Sequence, residues 1–489
     1  MNALRPSAFH QVRMVFTMAA LVPYLLFAQT PGKRLITPQD LWAMKRLSNL
    51  ELSPDGSKAA FVVQEWDITE NKSTANIWLV PTAGGEPRKL TTAQANDGAP
   101  IWSPDGMRIA FTSKRGEDEA AALYVIRVDG GEAEKVIELP FALSNVKWMP
   151  DGERVVVATT CVPRLVGTWS KTDISAMEKE VKRRKEGKMT AKITEDRTYA
   201  YWDHWLTDSL ANRLLLVRLG TKEITDLTPK WGRLFHYSGS VDYDLSPDGA
   251  QVALALNSTP PPYSDCPNSD VYMIPTDGSG MMRNITVENP GNDSGPTFAP
   301  DGSSLLFTRT KKPCGSGEVG KLWRHDITTG KSDPLTEAID LSIQGVKQIA
   351  DAGTLWFTAE EKGLVPIFKM QADGRGLTAV YKEGTSTELQ VKAGRIVFLN
   401  DNTSRPNEVF TLDGTTGAVR QLTHFNQALV EQLDLGNVES YWFDGAAGDK
   451  VHGWLILPPG FDAAKRYPLV QLMHGGPHTM VRDSWSYRW

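Results

Sequence analysis

Residues 52–63 read LSPDGSKAAFVV. Pro54 presets the backbone for the first corner of a turn, the Asp55 side chain can bond the local backbone, and Gly56 can take the left-handed conformation. Apolar residues then run out with strand periodicity. The element returns as WSPDGMRIAFTS (102–113), MPDGERVVVAT (149–159), LSPDGAQVALAL (245–256) and APDGSSLLFTR (299–309). Fainter versions are ADAGTLWFTA (350–359) and KAGRIVFLN (392–400). A turn copied between apolar runs is one hairpin corner repeated along the chain.

A second element follows each copy: NIWLVPTAGGEPRKLT from Asn76, ALYVIRVDGGEAEKVI from Ala122, RLLLVRLGTKEITDLT from Arg213 and DVYMIPTDGSGMMRNIT from Asp270. The series continues with KLWRHDITTGKSDPLT from Lys321, PIFKMQADGRGLTAVY from Pro366 and EVFTLDGTTGAVRQLT from Glu408. All read as strand, glycine-containing turn, strand. The two series interleave into seven units of four short strands, and radial repetition of such sheets is a β-propeller. The expected fold is therefore mainly β, a seven-bladed β-propeller over residues 51–435 after a lead-in at 29–50 with a short helix. Each blade has two apolar faces that only its neighbours can cover, so the turns serve folding. Asp55, Asp105, Asp248 and Asp301 accordingly read as turn residues rather than metal ligands or catalytic groups.

The 489 residues carry 53 basic and 58 acidic side chains, a formal net charge of −5, with no global basic field to favour nucleic acid. Arg5 and Arg13 precede an apolar stretch, MVFTMAALVPYLLFA (14–28), followed by polar QTPGKR. This pattern predicts a secretory signal over residues 1–28 that is cleaved, and hence a secreted or periplasmic protein without stable membrane insertion. An uncleaved anchor or a buried helix is the other reading of the same stretch. Three cysteines make no disulfide framework. Cys161 ends an apolar strand and reads as a buried thiol. Cys266 and Cys314 lie in polar Pro/Gly loops of neighbouring repeats and could pair in an oxidising compartment. No metal-ligand spacing or cofactor motif is present, so no metal and no cofactor is expected, and oligomeric state is not legible.

The third unit is about forty residues longer than the others, an insertion over about 165–210. Its first part, TDISAMEKEVKRRKEGKMTAK (172–192), has helical composition with Glu178 and Lys182 at i,i+4. The basic run Lys182–Lys185 reads as a solvated face. Its second part, YAYWDHWLTD (199–208), packs Tyr199, Tyr201, Trp202 and Trp205 around Asp203 and His204. These aromatics either bury the insertion against the ring or form a substrate-facing arm in which a carboxylate receives a peptide's amino terminus.

Beyond the last unit, NVESYWFDGAAGDKVHGWLILPPGF (437–461) reads as two strands around a Gly/Asp turn. KRYPLVQLMHGGP (465–477) reads as a third, buried strand over Leu469–Met473 running into His474, Gly475, Gly476 and Pro477. Adjacent glycines let backbone amides approach a developing oxyanion. With ITPQDLWAMKRLSNLELSPDG (36–56), the seven turns, YAYWDHW and YPLVQLMHGGPH…DSWSYRW, the chain from about Leu35 onward resembles the prolyl oligopeptidase family of serine peptidases, its secreted dipeptidyl-peptidase and acylaminoacyl-peptidase branch above all.

That resemblance implies a propeller capping an α/β-hydrolase domain, with residues 436–489 as that domain's first strands and short peptides as substrates. It also implies backbone donation to an oxyanion by Gly475 and Gly476, with His474 bracing the loop. The family's serine sits in a GxSxG elbow, and this sequence has none; no residue matches the family's catalytic serine, aspartate or histidine. The resemblance thus predicts a truncated chain, inactive by itself. The alternative is a TolB-like periplasmic propeller that binds without catalysis.

Overall fold

The computed structural model of the protein describes residues 32–189, 191–195, 198–260, 267–314, 317–348, 353–476 and 479–488. The expected signal segment, Cys266, Pro477 and the sixth turn at 349–352 lie outside these residues.

Seven four-stranded antiparallel sheets follow one another along the chain, their strands in chain order from the inside outward, with the insertion hairpin interposed between the second and third strands of the third. Blade 1 comprises Arg46–Leu52, Lys58–Asp67, Lys72–Pro81 and Arg88–Lys89. Its inner strand therefore begins ahead of residue 51, the expected boundary, because the SPDG turn joins the inner strand to the second rather than opening the blade. The innermost strands of blades 2 to 7 are Gly98–Trp102, Ser144–Trp148, Asp242–Leu245, Asp293–Phe298, Ile343–Gln348 and Thr385–Lys392. A short helix, Pro38–Ala43, precedes blade 1, with a capping box between Thr37 and Asp40.

The turns close as their residue types require. Ser53 Oγ donates to Asp55 Oδ1 at 2.6 Å, Lys58 N–H donates to Ser53 Oγ at 3.0 Å, and Gly56 has φ +71°. Ser103–Arg108 and Ser246–Gln251 repeat this pattern. These bonds hold the Asp55 carboxyl below its ordinary range, at about 2. Successive turns also stack: a Cβ at Gly106 would meet Pro54, at Gly152 Pro104, at Gly249 Pro150 and at Gly302 Pro247.

The core is divided among the blade boundaries. Seven apolar clusters each span one pair of adjacent blades, including the pair that closes the ring, where Leu47, Phe61 and Val63 of blade 1 pack with Val397, Leu399 and Val409 of blade 7. No blade has a core of its own, which is why closure is obligatory. Polar bonds fasten the closing boundary too. Lys45 N–H donates to Asn426 Oδ1 at 2.8 Å while Asn426 Nδ2 donates to Lys45 C=O at 2.9 Å. A two-residue parallel pairing, Arg34–Leu35 with Leu433–Asp434, ties the lead-in to the exit.

The insertion leaves blade 3 after Cys161 and re-enters at Ala211. The expected helix forms over Lys171–Glu186, with a capping box from Ser170 and Asp173. Trp169 and Met177 are buried in the boundary between blades 2 and 3. Its ion pairs centre on Glu180 with Arg183 and Arg184, the side of the helix that turns toward Arg164 and Asp208, rather than on Glu178 with Lys182.

Beyond the ring, Val438–Asp444 and Lys450–Ile456 form an antiparallel hairpin, as the sequence suggests. The third strand does not form: Leu469–Met473 is irregular and open to solvent, with Leu469 84% and Met473 83% exposed. An apolar strand needs partners on both edges and both faces, and among the described residues the hairpin pairs only with itself.

Candidate active site

His474 and Gly475 are exposed, and Gly476 takes a left-handed φ of +68°. A Cβ at Gly475 or Gly476 would meet nothing within 4 Å, so the turn stands clear of the other described residues on that side. Among the described residues His474 Nδ1 reaches the carbonyl of Gly475, at 3.4 Å, and no other partner. Pro477 is outside the described residues.

What anchors this region is the segment after the turn, which sequence reasoning left without a role. Asp483 Oδ1 accepts from the N–H and Oγ of Thr403 at 2.8 and 2.9 Å. Its N–H donates to Gly363 C=O at 2.7 Å, and its carbonyl accepts from Thr385 Oγ at 2.9 Å. Arg482 pairs with Glu360, and Ser484 Oγ donates to Asp401 Oδ2 at 3.2 Å. The Arg46 guanidinium lies 4.3 Å from the Tyr487 ring centroid. Residues 482–487 are thereby bound across blades 6, 7 and 1.

The electrostatics of this dock are tight. Burial raises the Asp401 carboxyl to about 7, against the opposing effects of the Ser484 hydroxyl and Arg405 and with a further push from Asp483. Burial likewise raises the Tyr487 hydroxyl to about 12. Upstream, Trp454 Nε1 donates to Val481 C=O at 3.0 Å, so the two ends of the stretch bearing His474–Gly476 meet.

Among the described residues of the tail one serine–histidine contact occurs: Ser440 Oγ lies 2.9 Å from His452 Nε2. The imidazole sits between Trp442 and Trp454, and among the described residues no carboxylate orients it, so the pair is a cross-strand contact without the third member that makes such a pair nucleophilic.

The aromatic insert divides between the two expected readings. Ala200–Tyr201 and His204–Trp205 form a small hairpin. Trp205 packs on Tyr199 at 5.0 Å between centroids, and Tyr201 approaches His236 and Tyr237. Trp202, at the tip with φ +54°, is 88% exposed, and Asp203 beside it is exposed and 3.4 Å from the His204 ring. The hairpin is thus stapled to the ring on one side and open at its tip. Among the described residues none of Tyr201, Trp202, Asp203 or Trp205 contacts the 474–476 turn.

Cys161 is a buried free thiol and Cys314 is disulfide-bonded. Cys266 is not among the described residues. No group of three or more His, Cys, Asp or Glu that could hold a metal ion occurs among the described residues.

The TolB β-propeller domain family matches residues 48–191. The chain is 26% identical over 489 residues to dipeptidyl-peptidase 5 of Porphyromonas gingivalis, covering 98% of this chain and 69% of that protein. It is 26% identical over 471 residues to the uncharacterized peptidase YuxL of Bacillus subtilis, covering 93% and 68%. Among solved structures, the acylaminoacyl peptidase of Pyrococcus horikoshii superposes with a TM-score of 0.71 at 17% identity, covering 93% of this chain and 64% of that one. This chain thus spans about two thirds of the length of the proteins it matches.

Proposed function

We propose that this chain, which sits with the serine peptidases of the prolyl oligopeptidase family, forms the substrate-admitting part of an exopeptidase that releases dipeptides or acyl-amino acids from short peptides. The observation that carries this reading is the dock of Asp483. It fastens to blades 6 and 7 the stretch that includes the glycine turn, and a propeller that only binds has no use for such a tether. The closed ring restricts access to chains narrower than a folded domain.

The 489-residue polypeptide by itself is inactive in this proposal. An oxyanion donor stabilises a transition state by about 3 kcal/mol but hydrolyses nothing without an activated nucleophile, and no GxSxG occurs in the sequence. The test has two arms. Chromogenic dipeptide and acyl-amino-acid substrates should give no turnover with the purified chain, and turnover that survives removal of contaminants would overturn the inactivity. The coding DNA past the Trp489 codon should continue in frame to a GxSxG, and unrelated sequence there would favour the TolB-like binding module.

The proposal includes export with cleavage of the first 28 residues. The disulfide at Cys314 supports it, since such bonds persist in oxidising compartments. Amino-terminal sequencing of protein recovered from the culture medium or periplasm should begin after Ala28, and a mature chain starting at Met1 in the cytosol would reject it.

A further inference from the structure

The seven innermost strands place one residue each at an equivalent register: Glu51 opposite Ala60, Ile101 opposite Ala110, Lys147 opposite Val156 and Asp244 opposite Ala253. The set is completed by Thr297 opposite Leu306, Lys347 opposite Trp356 and Gln390 opposite Val397. In six blades a bulge precedes this residue, with left-handed φ at Asn49, Ala99, Asn145, Gly295, Gly345 and Glu388. The seven form a belt around the central channel.

The belt carries two carboxylates, Glu51 and Asp244, and two ammonium groups, Lys147 and Lys347, but they do not pair one to one. Glu51 pairs with Lys392 of blade 7, and Asp244 pairs with Lys147 at 2.7 Å and accepts from Phe298 N–H at 2.9 Å. Lys347 is half-buried and makes no hydrogen bond or ion pair among the described residues. It lies in the field of Glu51, Asp244, Lys147 and Lys392, residues of four other blades, and both of those carboxylates are already paired with the other two lysines. Burial lowers the affinity of Lys347 for its proton, the mark of a cation short of a counter-charge. Asp242 and Glu388, each two residues before the belt position of its strand, accept from the N–H groups of Gly295 and Leu50.

We propose that Lys347 is a channel station for the terminal carboxylate of a peptide. A lysine ammonium is a compact point charge with three donors and suits a single carboxylate. The assignment deepens the peptide-admitting reading above and rests on it. Its test reads binding without turnover, so loss of the station would leave the peptidase assignment standing.

The experiment titrates the 489-residue chain calorimetrically with N-acetyl-trialanine and with its carboxamide. The acid should bind at least fivefold more tightly; Lys347→Met should bind both equally, and Lys347→Arg should keep the preference. Lys347→Gln serves as a second neutral variant if Met lowers the melting temperature. Equal binding of acid and amide by the unmodified chain, or a preference unchanged in folded Lys347→Met or Lys347→Gln, overturns the proposal. Displacement of the acid by inorganic phosphate at lower concentration than by acid itself overturns the peptide assignment.

Discussion

Asp483 is held by Thr403 through two hydrogen bonds to one carboxylate oxygen, 2.8 Å from the backbone N–H and 2.9 Å from the hydroxyl. The two residues are eighty positions apart, and their contact fixes the segment after the glycine turn to the last blade. Asp483→Ala removes an acceptor from both donors, a loss of about 1–3 kcal/mol confined to this dock. Amide exchange should rise at residues 481–488 and proteolysis within 457–476 should quicken, with the melting temperature of the ring little changed. Unaltered exchange at 481–488 would show that the other contacts suffice.

Asp401 gives the dock a pH dependence. Its carboxyl is raised to about 7 in the folded protein, against about 4 in an unfolded chain. Between those values the folded state holds a proton that the unfolded state has lost, so the stability this group contributes falls as pH rises from 4 to 7 and is flat above. The full effect is on the order of 4 kcal/mol. Asp401→Asn should flatten that part of a stability–pH profile measured by urea unfolding, and an unchanged slope would assign it elsewhere.

Turn stacking predicts unequal costs for glycine substitution. Gly249 has φ +71° and a Cβ there would lie 2.8 Å from Pro150 Cδ, whereas Gly130, at φ +110°, would meet nothing within 4 Å. Gly249→Ala should cost about 2–4 kcal/mol through conformational strain plus displacement of the blade 3 turn, and Gly130→Ala about 1–2 kcal/mol through strain alone. Thermal melts of the two variants check the order.

Ring closure should be sensitive at Asn426, whose amide satisfies both backbone groups of Lys45. Asn426→Ala leaves both without that partner, an expected loss of about 1–3 kcal/mol. Urea midpoints, compared with an exposed control such as Lys114→Ala, measure it.

Much of this was legible from repetition. SPDG followed by alternating apolar residues specifies a turn and a strand locally, so the number of blades, the place of the insertion and the helix over Lys171–Glu186 could be read directly. The Lys347 belt was legible in principle, since Glu51, Lys147 and Asp244 all stand four residues before a PDG aspartate. Its signal is a register position, not a motif.

The run Leu469–Met473 went the other way. Its apolar pattern states a preference for burial, but strand pairing is a property of neighbours, and among the described residues none pairs with it. The fate of the glycine turn, the split of YAYWDHW into a stapled base and an exposed tip, and the dock of Asp483 on Thr403 were likewise decided by tertiary structure. Each depends on which distant backbone comes within about 3 Å, and hydrogen bonds and ion pairs act only at that range. The sequence by itself determined the ring, because each turn and strand is encoded within about a dozen residues and repeated. Only the folded chain decided what stands at its mouth and which charge in its channel is left unpaired.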